Sequence, residues 1–329
     1  MRQHRIRSFL VPLVLVLALV VAACSRDSSG DSGAGGSVTV SGSSTVEPIS
    51  AANAEKFAET NPDVAISVDG PGTGDGFQLF CSGDTDISDA SRPIKDEEIA
   101  TCEDNGIEFV ELKVGIDGLS VITSPANDAV ECLNVGDLYA LIGPESEGFD
   151  NWSDADDLGA EVGGSGDYPD SELTITAPGE ESGTYDSFVE LALEEIAEER
   201  DQDAVARADY ESSPNDNVII EGVAGSDTSL GWVGYAFVVE NSDSVRVLEI
   251  DGGGGCVAPT DETIAAAEFP LARDLFVYVN KEKAADNQAV TDYIDFYLSD
   301  AGRASVTEVG YVDLTDEDWQ ASVAAWEGR

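Results

Sequence analysis

Short β-branched runs alternate along this chain with segments of helical period, and that alternation restricts the fold to the α/β class. "SVTVS" (37–41) reads as a strand, and "VEPISAANAEKFAET" (46–60) as a helix with Ile49, Ala52 and Phe57 turned inward. "VAISVD" (64–69) is predicted as a strand and "DGFQLFCSG" (75–83) as a short helix. Further strands are expected near 107–115 and 118–123, and at 172–177, 230–238, 244–250 and 274–280. "YDSFVELALEEIAEE" (185–199) puts Phe188, Leu191, Ala192 and Ile196 on one face of an amphipathic helix, and the chain beyond 280 reads as mainly helical. No internal repeat or second linker interrupts the pattern, so two lobes sharing strands fit it better than two independent beads.

The N-terminus stands apart. Arg2, Arg5 and Arg7 precede an apolar run from Phe9 to Ala23, too short for a membrane span and of the length of a secretory signal. Val21-Ala22-Ala23-Cys24 resembles the bacterial lipobox, so 1–23 is expected to be a signal peptide and Cys24 the lipidated residue. The Ser/Gly/Asp-rich stretch 24–36 reads as the tether of a surface-anchored protein. Cleavage there would leave about 300 residues, enough for two lobes with real cores. It would also remove His4, the single histidine. Ser-His-Asp and Cys-His catalysis, and zinc bound through histidine, are then excluded.

The chain carries 66 acidic and 16 basic residues, a net charge of −50, with the acids spread along its length. No basic stripe exists to receive nucleic acid, and the carboxylates read as a solvated surface. Besides Cys24, four cysteines remain: Cys81, Cys102, Cys132 and Cys256. An even count in an exported chain points to two disulfides, Cys81–Cys102 across a short loop and Cys132–Cys256 between distant segments.

Against this acidity, three clusters of neutral hydrogen-bond donors stand out. Ser43, Ser44 and Thr45 follow the first strand; Thr73 and Gly74 follow 64–69; Ser182, Gly183 and Thr184 open the helix after 172–177. Any one of them also fits an ordinary N-cap. Three strand-to-helix junctions of this kind, if they converge, aim unpaired N–H groups, helix dipoles and hydroxyls at a single anion. A fourth element, "DISDASRPI" (86–94), contributes Ser91 and Arg92; a guanidinium suits an oxyanion, and it equally suits a surface ion pair among so many acids. Other motifs fail. The glycines of "GPGTGDG" are wrongly spaced for a dinucleotide site, no phosphate-loop lysine follows, and "DADDLG" has Leu158 where a calcium ligand belongs.

"SGSSTVEPIS", "GPGTGDGF", "DISDASRPIKDEEI", "ESGTYDSF", "GWVGYAF" and "PLARDLFVYVN" together resemble, in order and spacing, the phosphate-binding proteins of high-affinity ABC phosphate importers. The resemblance implies a type II periplasmic-binding-protein fold: two α/β lobes joined by two crossing strands, with the ligand in the cleft. It implies lobe I at 37–114 and 270–329, lobe II at 115–269, and chain crossings near 114 and 270. It implies a phosphate site at Ser44, Thr45, Thr73, Ser91, Arg92, Ser182, Gly183 and Thr184. It further implies a non-catalytic monomeric receptor without cofactor or metal, serving a membrane permease. Two positions depart from enterobacterial relatives. Ser91 stands where they carry an Asp that accepts the phosphate proton, and Pro178 where they carry an Arg. Asp75, in the Gly-rich turn, is the first candidate for the missing acceptor, with helix capping as its alternative role; Glu180 and Glu181 come next.

Overall fold

The computed structural model describes residues 35–180 and 182–329. The signal segment 1–23, Cys24, most of the 24–36 tether and Glu181 lie outside the described residues. No helix among the described residues is long and apolar enough to cross a membrane.

A seven-stranded sheet organises the molecule. Strand β1 (Ser37–Gly42) pairs in parallel with β2 (Ala65–Asp69) on one side and β3 (Ile87–Ala90) on the other. The next strand, Ala272–Asn280, runs antiparallel to β3 and to β4 (Phe109–Thr123). Val38 and Val40 of β1 and Ile87 of β3 are fully buried, whereas edge strand β2 alternates half-exposed and exposed positions. Helices α1 (Glu47–Thr60), α2 (Thr73–Ser82) and α3 (Asp96–Asp104) belong to this part of the chain. Pro48 opens α1, and Gly83, in a left-handed conformation, ends α2.

Strand β4 changes partners along its length. Residues 109–118 pair with Ala272–Asn280, and Leu119–Thr123 pair with Leu230–Gly234. The sequence reading places two strands here, near 107–115 and at 118–123, with Gly115 and Gly118 at their facing ends. These glycines are instead sites of close approach: a Cβ on Gly118 would lie 2.8 Å from Ile264 Cδ1, and one on Gly115 would lie 2.9 Å from Val306 Cγ1. The glycines admit neighbouring side chains and leave the strand continuous.

Other expectations shift in extent. The predicted strand 172–177 narrows to Thr176–Ala177, and 230–238 ends at Gly234, after which Tyr235–Glu240 is helical. A continuous apolar run has no alternation to separate strand from helix. The predicted helix 185–199 begins at Gly183 and contains one π-helical turn, Val189–Leu193. It is anchored by Phe188, which stacks on Trp232 with ring centroids 4.2 Å apart. Cys81–Cys102 and Cys132–Cys256 are both disulfide-bonded, as the cysteine count suggested.

Candidate functional site

The polypeptide brings all four donor segments to one region, and glycines set how closely they meet. Gly42 closes β1 with φ +153°, and a Cβ there would fall 2.0 Å from the Asp89 carbonyl oxygen. The first loop therefore lies directly on the β3 backbone, and Ser43 N donates to Asp89 O at 2.9 Å. Gly72 N donates to Gly42 O at 2.8 Å, which seats the start of α2 beside that loop. A Cβ on Gly183 would lie 3.1 Å from Ser44 O, so the Ser-Gly-Thr helix start abuts the same loop.

The predicted residues divide into two groups. Thr73, Asp75, Ser91 and Arg92 line a cleft of about 630 Å³. Thr73 Oγ1 and Ser91 Oγ are 2.9 Å apart, and Ser91 N donates to Thr73 Oγ1 at 3.2 Å. Ser44, Thr45 and Gly183, in contrast, form a seam beside the cleft. Ser44 Oγ donates to Asp186 at 2.6 Å, and Thr45 Oγ1 lies 3.1 Å from Ser187 Oγ. Ser182 caps its helix, accepting from Thr184 N at 3.2 Å, so the capping role first weighed for this cluster is present. Thr184 itself is half-buried at that helix start.

Arg273 joins the two groups, and sequence reasoning did not single it out. It lines the cleft with its side chain 10% exposed. Nη2 donates to Thr45 Oγ1 at 3.0 Å and Ser187 Oγ at 2.6 Å, Nη1 donates to Glu190, and Nε faces Asp117 at 3.4 Å. Arg273 and Asp117 are register partners across the two long strands. Burial pushes the Asp117 carboxyl up, and the adjacent guanidinium pulls it back. The available signal was an arginine opening a run of otherwise buried strand residues; its carboxylate partner sits in another strand.

Arg92 is held differently. Both its terminal nitrogens donate to Glu98 at 2.8 Å, and the guanidinium lies 5.5 Å from the Phe77 ring centroid. The surface ion pair weighed for it is therefore present, while the residue still borders the cleft. Asp75 is exposed and receives a 3.4 Å bond from Gln78. Beneath the first loop, Asp89 is wholly buried. Ser50 Oγ donates to its Oδ1 at 2.9 Å, Oδ2 has no partner, and burial raises the pKa to about 7. Burial likewise raises Asp186, against the bond from Ser44.

No group of three or more His, Cys, Asp or Glu side chains suited to a metal ion occurs among the described residues. Hydroxyls, backbone amides and one deeply set guanidinium are instead a donor set for a small oxyanion.

Comparison with known proteins agrees with this chemistry. Residues 27–301 match the model of a PBP superfamily domain. Protein SphX of a Synechocystis species is 36% identical over 95% of this chain and 87% of its own length. Phosphate-binding protein PstS of Staphylococcus saprophyticus is 35% identical over 92% of this chain and 88% of its own. A crystal structure from Planctomyces limnophilus, of "a possible phosphate binding protein", superposes with a TM-score of 0.79 at 34% identity. The match covers 89% of this chain and 98% of that one.

Proposed function

Because this chain belongs to the PBP superfamily, in the family of the PstS and SphX proteins, we propose that it is an extracytoplasmic receptor for inorganic phosphate. In this reading it delivers the anion to an ABC permease and is non-catalytic. The observation that carries the reading is Arg273. It is a nearly enclosed cation that lines the cleft and ties it to the hydroxyls of Thr45 and Ser187 in the adjoining seam, in a chain whose net charge would otherwise repel anions.

The ligand would lie in the cleft against Thr73, Ser91 and Arg273. Arg92 would border it, and Ser44, Thr45, Ser182, Gly183 and Thr184 would supply the adjoining wall. Local dipoles and one guanidinium stabilise the bound charge, while distant carboxylates are screened by salt. Residues 37–114 with 270–329 would form one lobe and 115–269 the other. The change of partners along β4 supports a hinge there, since one continuous strand serves both regions. Anchoring through a lipidated Cys24 and action as a monomer complete the proposal. The Cys24 assignment is tested by Cys24→Ser, expected to release the protein from membranes; unchanged attachment overturns it.

Calorimetry against phosphate, sulfate and molybdate tests the substrate. Phosphate should bind most tightly; a preference for sulfate or molybdate would reassign the receptor to another oxyanion. The 2.6 Å bond from Ser44 to Asp186 resembles the pairing of a nucleophile with its base. Turnover of a phosphoester by metal-free protein that Ser44→Ala or Ser182→Ala abolishes would favour a hydrolase instead.

A further inference from the structure

One cleft residue holds the donors that the functional reading assigns to phosphate. The Glu190 carboxylate accepts from Arg273 Nη1, and its Oε2 also receives Ser91 Oγ at 3.4 Å. The other acids bordering the cleft are engaged elsewhere or lie apart from these donors. Asp274 pairs with Lys113 at 2.7 Å, and Asp75 meets Gln78. Glu194 touches neither donor, and its carboxyl is pushed up by burial and by repulsion from Glu190.

Two features distinguish Glu190 from Asp186, four residues earlier on the same helix face. Asp186 is half-buried against Ser44 on a short side chain. Glu190 is 41% exposed and has a longer side chain, so it can swing into solvent without opening the fold. It also lies within the single π-helical turn, Val189–Leu193, a local widening that recurs at functional sites.

We infer that Glu190 is an internal competitor for the anion site, a carboxylate that an incoming tetrahedral oxyanion displaces from Arg273 and Ser91. The inference rests on the phosphate-receptor reading and adds to it a residue that sets affinity. Two anions cannot both hold one guanidinium edge, so part of the ligand's binding energy goes into freeing it. The same contact ties the helix 183–199 side of the cleft to β3 and to the long strand 272–280, so it also acts as a latch.

Glu190→Gln keeps the shape and removes the charge. Calorimetry on the purified full-length protein at neutral pH should show phosphate binding tightened about tenfold or more, the equivalent of one charge-assisted hydrogen bond no longer to be broken. Glu195→Gln removes the same charge from an exposed neighbouring position and should change affinity less than about twofold, since an exposed charge is screened. Unchanged or weaker phosphate binding in Glu190→Gln overturns the inference. A loss for phosphate with a gain for sulfate overturns it too, because the carboxylate would then be holding the phosphate proton. Should the wild-type protein bind no phosphate at all, the functional reading falls, and small-angle scattering judges the latch alone. A larger radius of gyration in Glu190→Gln than in wild type supports it, and identical curves refute it.

Discussion

Arg273 and Arg92 border the same cleft and make opposite use of it. Arg273 rises from a central strand, is nearly enclosed, and divides its donors among hydroxyls and carboxylates from different segments. Arg92 sits on a loop at the rim, 30% exposed, with both terminal nitrogens taken by one glutamate six residues away. An arginine's availability to a ligand depends on what already holds it and on how dry the place is. A local pair in solvent contributes little and is screened, whereas a guanidinium between buried strands acts at low dielectric on everything near it.

The largest expected difference comes from removing the interior cation. Arg273→Ala would leave Asp117 buried without its counter-charge, and should destabilise the protein by about 3–5 kcal/mol in chemical denaturation. Phosphate binding by the fraction that remains folded should be lost. If the variant is fully stable and binds normally, Arg273 has neither role and the contrast with Arg92 collapses.

The second test concerns the carboxyl buried beneath the first loop. Asp89 has its folded-state pKa raised to about 7, above the ordinary aspartate range. Its contribution to stability is therefore complete below pH 4 or so and is lost as pH rises through about 7. Asp89→Asn does not ionise. Its stability relative to wild type should shift in its favour by roughly 2–3 kcal/mol between pH 5 and pH 8. Parallel pH profiles for the two proteins would show that Asp89 is already charged within the fold.

A smaller effect is expected at the seam. Thr45→Val keeps the shape and deletes the hydroxyl that meets both Arg273 and Ser187. Phosphate affinity should fall about fivefold to tenfold, the loss of one hydrogen bond. An unchanged titration would place Thr45 outside the site. Arg92→Ala should matter least, costing under about 1 kcal/mol of stability and less affinity than Thr45→Val. A loss comparable to that of Arg273→Ala would mean that Arg92 leaves Glu98 to hold the ligand, and would erase the distinction between rim and interior.

Much of the candidate site was legible because its donor clusters are local. Ser-Ser-Thr after β1, Thr73 at the start of α2 and Ser-Gly-Thr at 182–184 are strand-to-helix junctions, recognisable from period and capping chemistry alone. Their partners were not legible. Ser44 meets Asp186 across 142 positions and Arg273 meets Thr45 across 228, and no local pattern encodes which acid or base the fold brings up. Glu190 reads in sequence as one more acid on the exposed face of an acidic helix. Its place in the cleft follows from how that helix docks through Phe188 on Trp232.

By itself the sequence determined the α/β alternation, the hydroxyl clusters at strand-to-helix junctions, the excess of acids, and a count of cysteines that could all pair. Each of these depends on residue type and short-range spacing, which survive in one dimension. Only the tertiary structure decided that β4 is one strand serving two regions, with glycines admitting Ile264 and Val306 rather than breaking it. It alone made Arg273 the interior cation and left Arg92 at the rim. Both outcomes depend on strand register and on burial, where a charge's effect is set by neighbours remote in the chain and by the water they exclude.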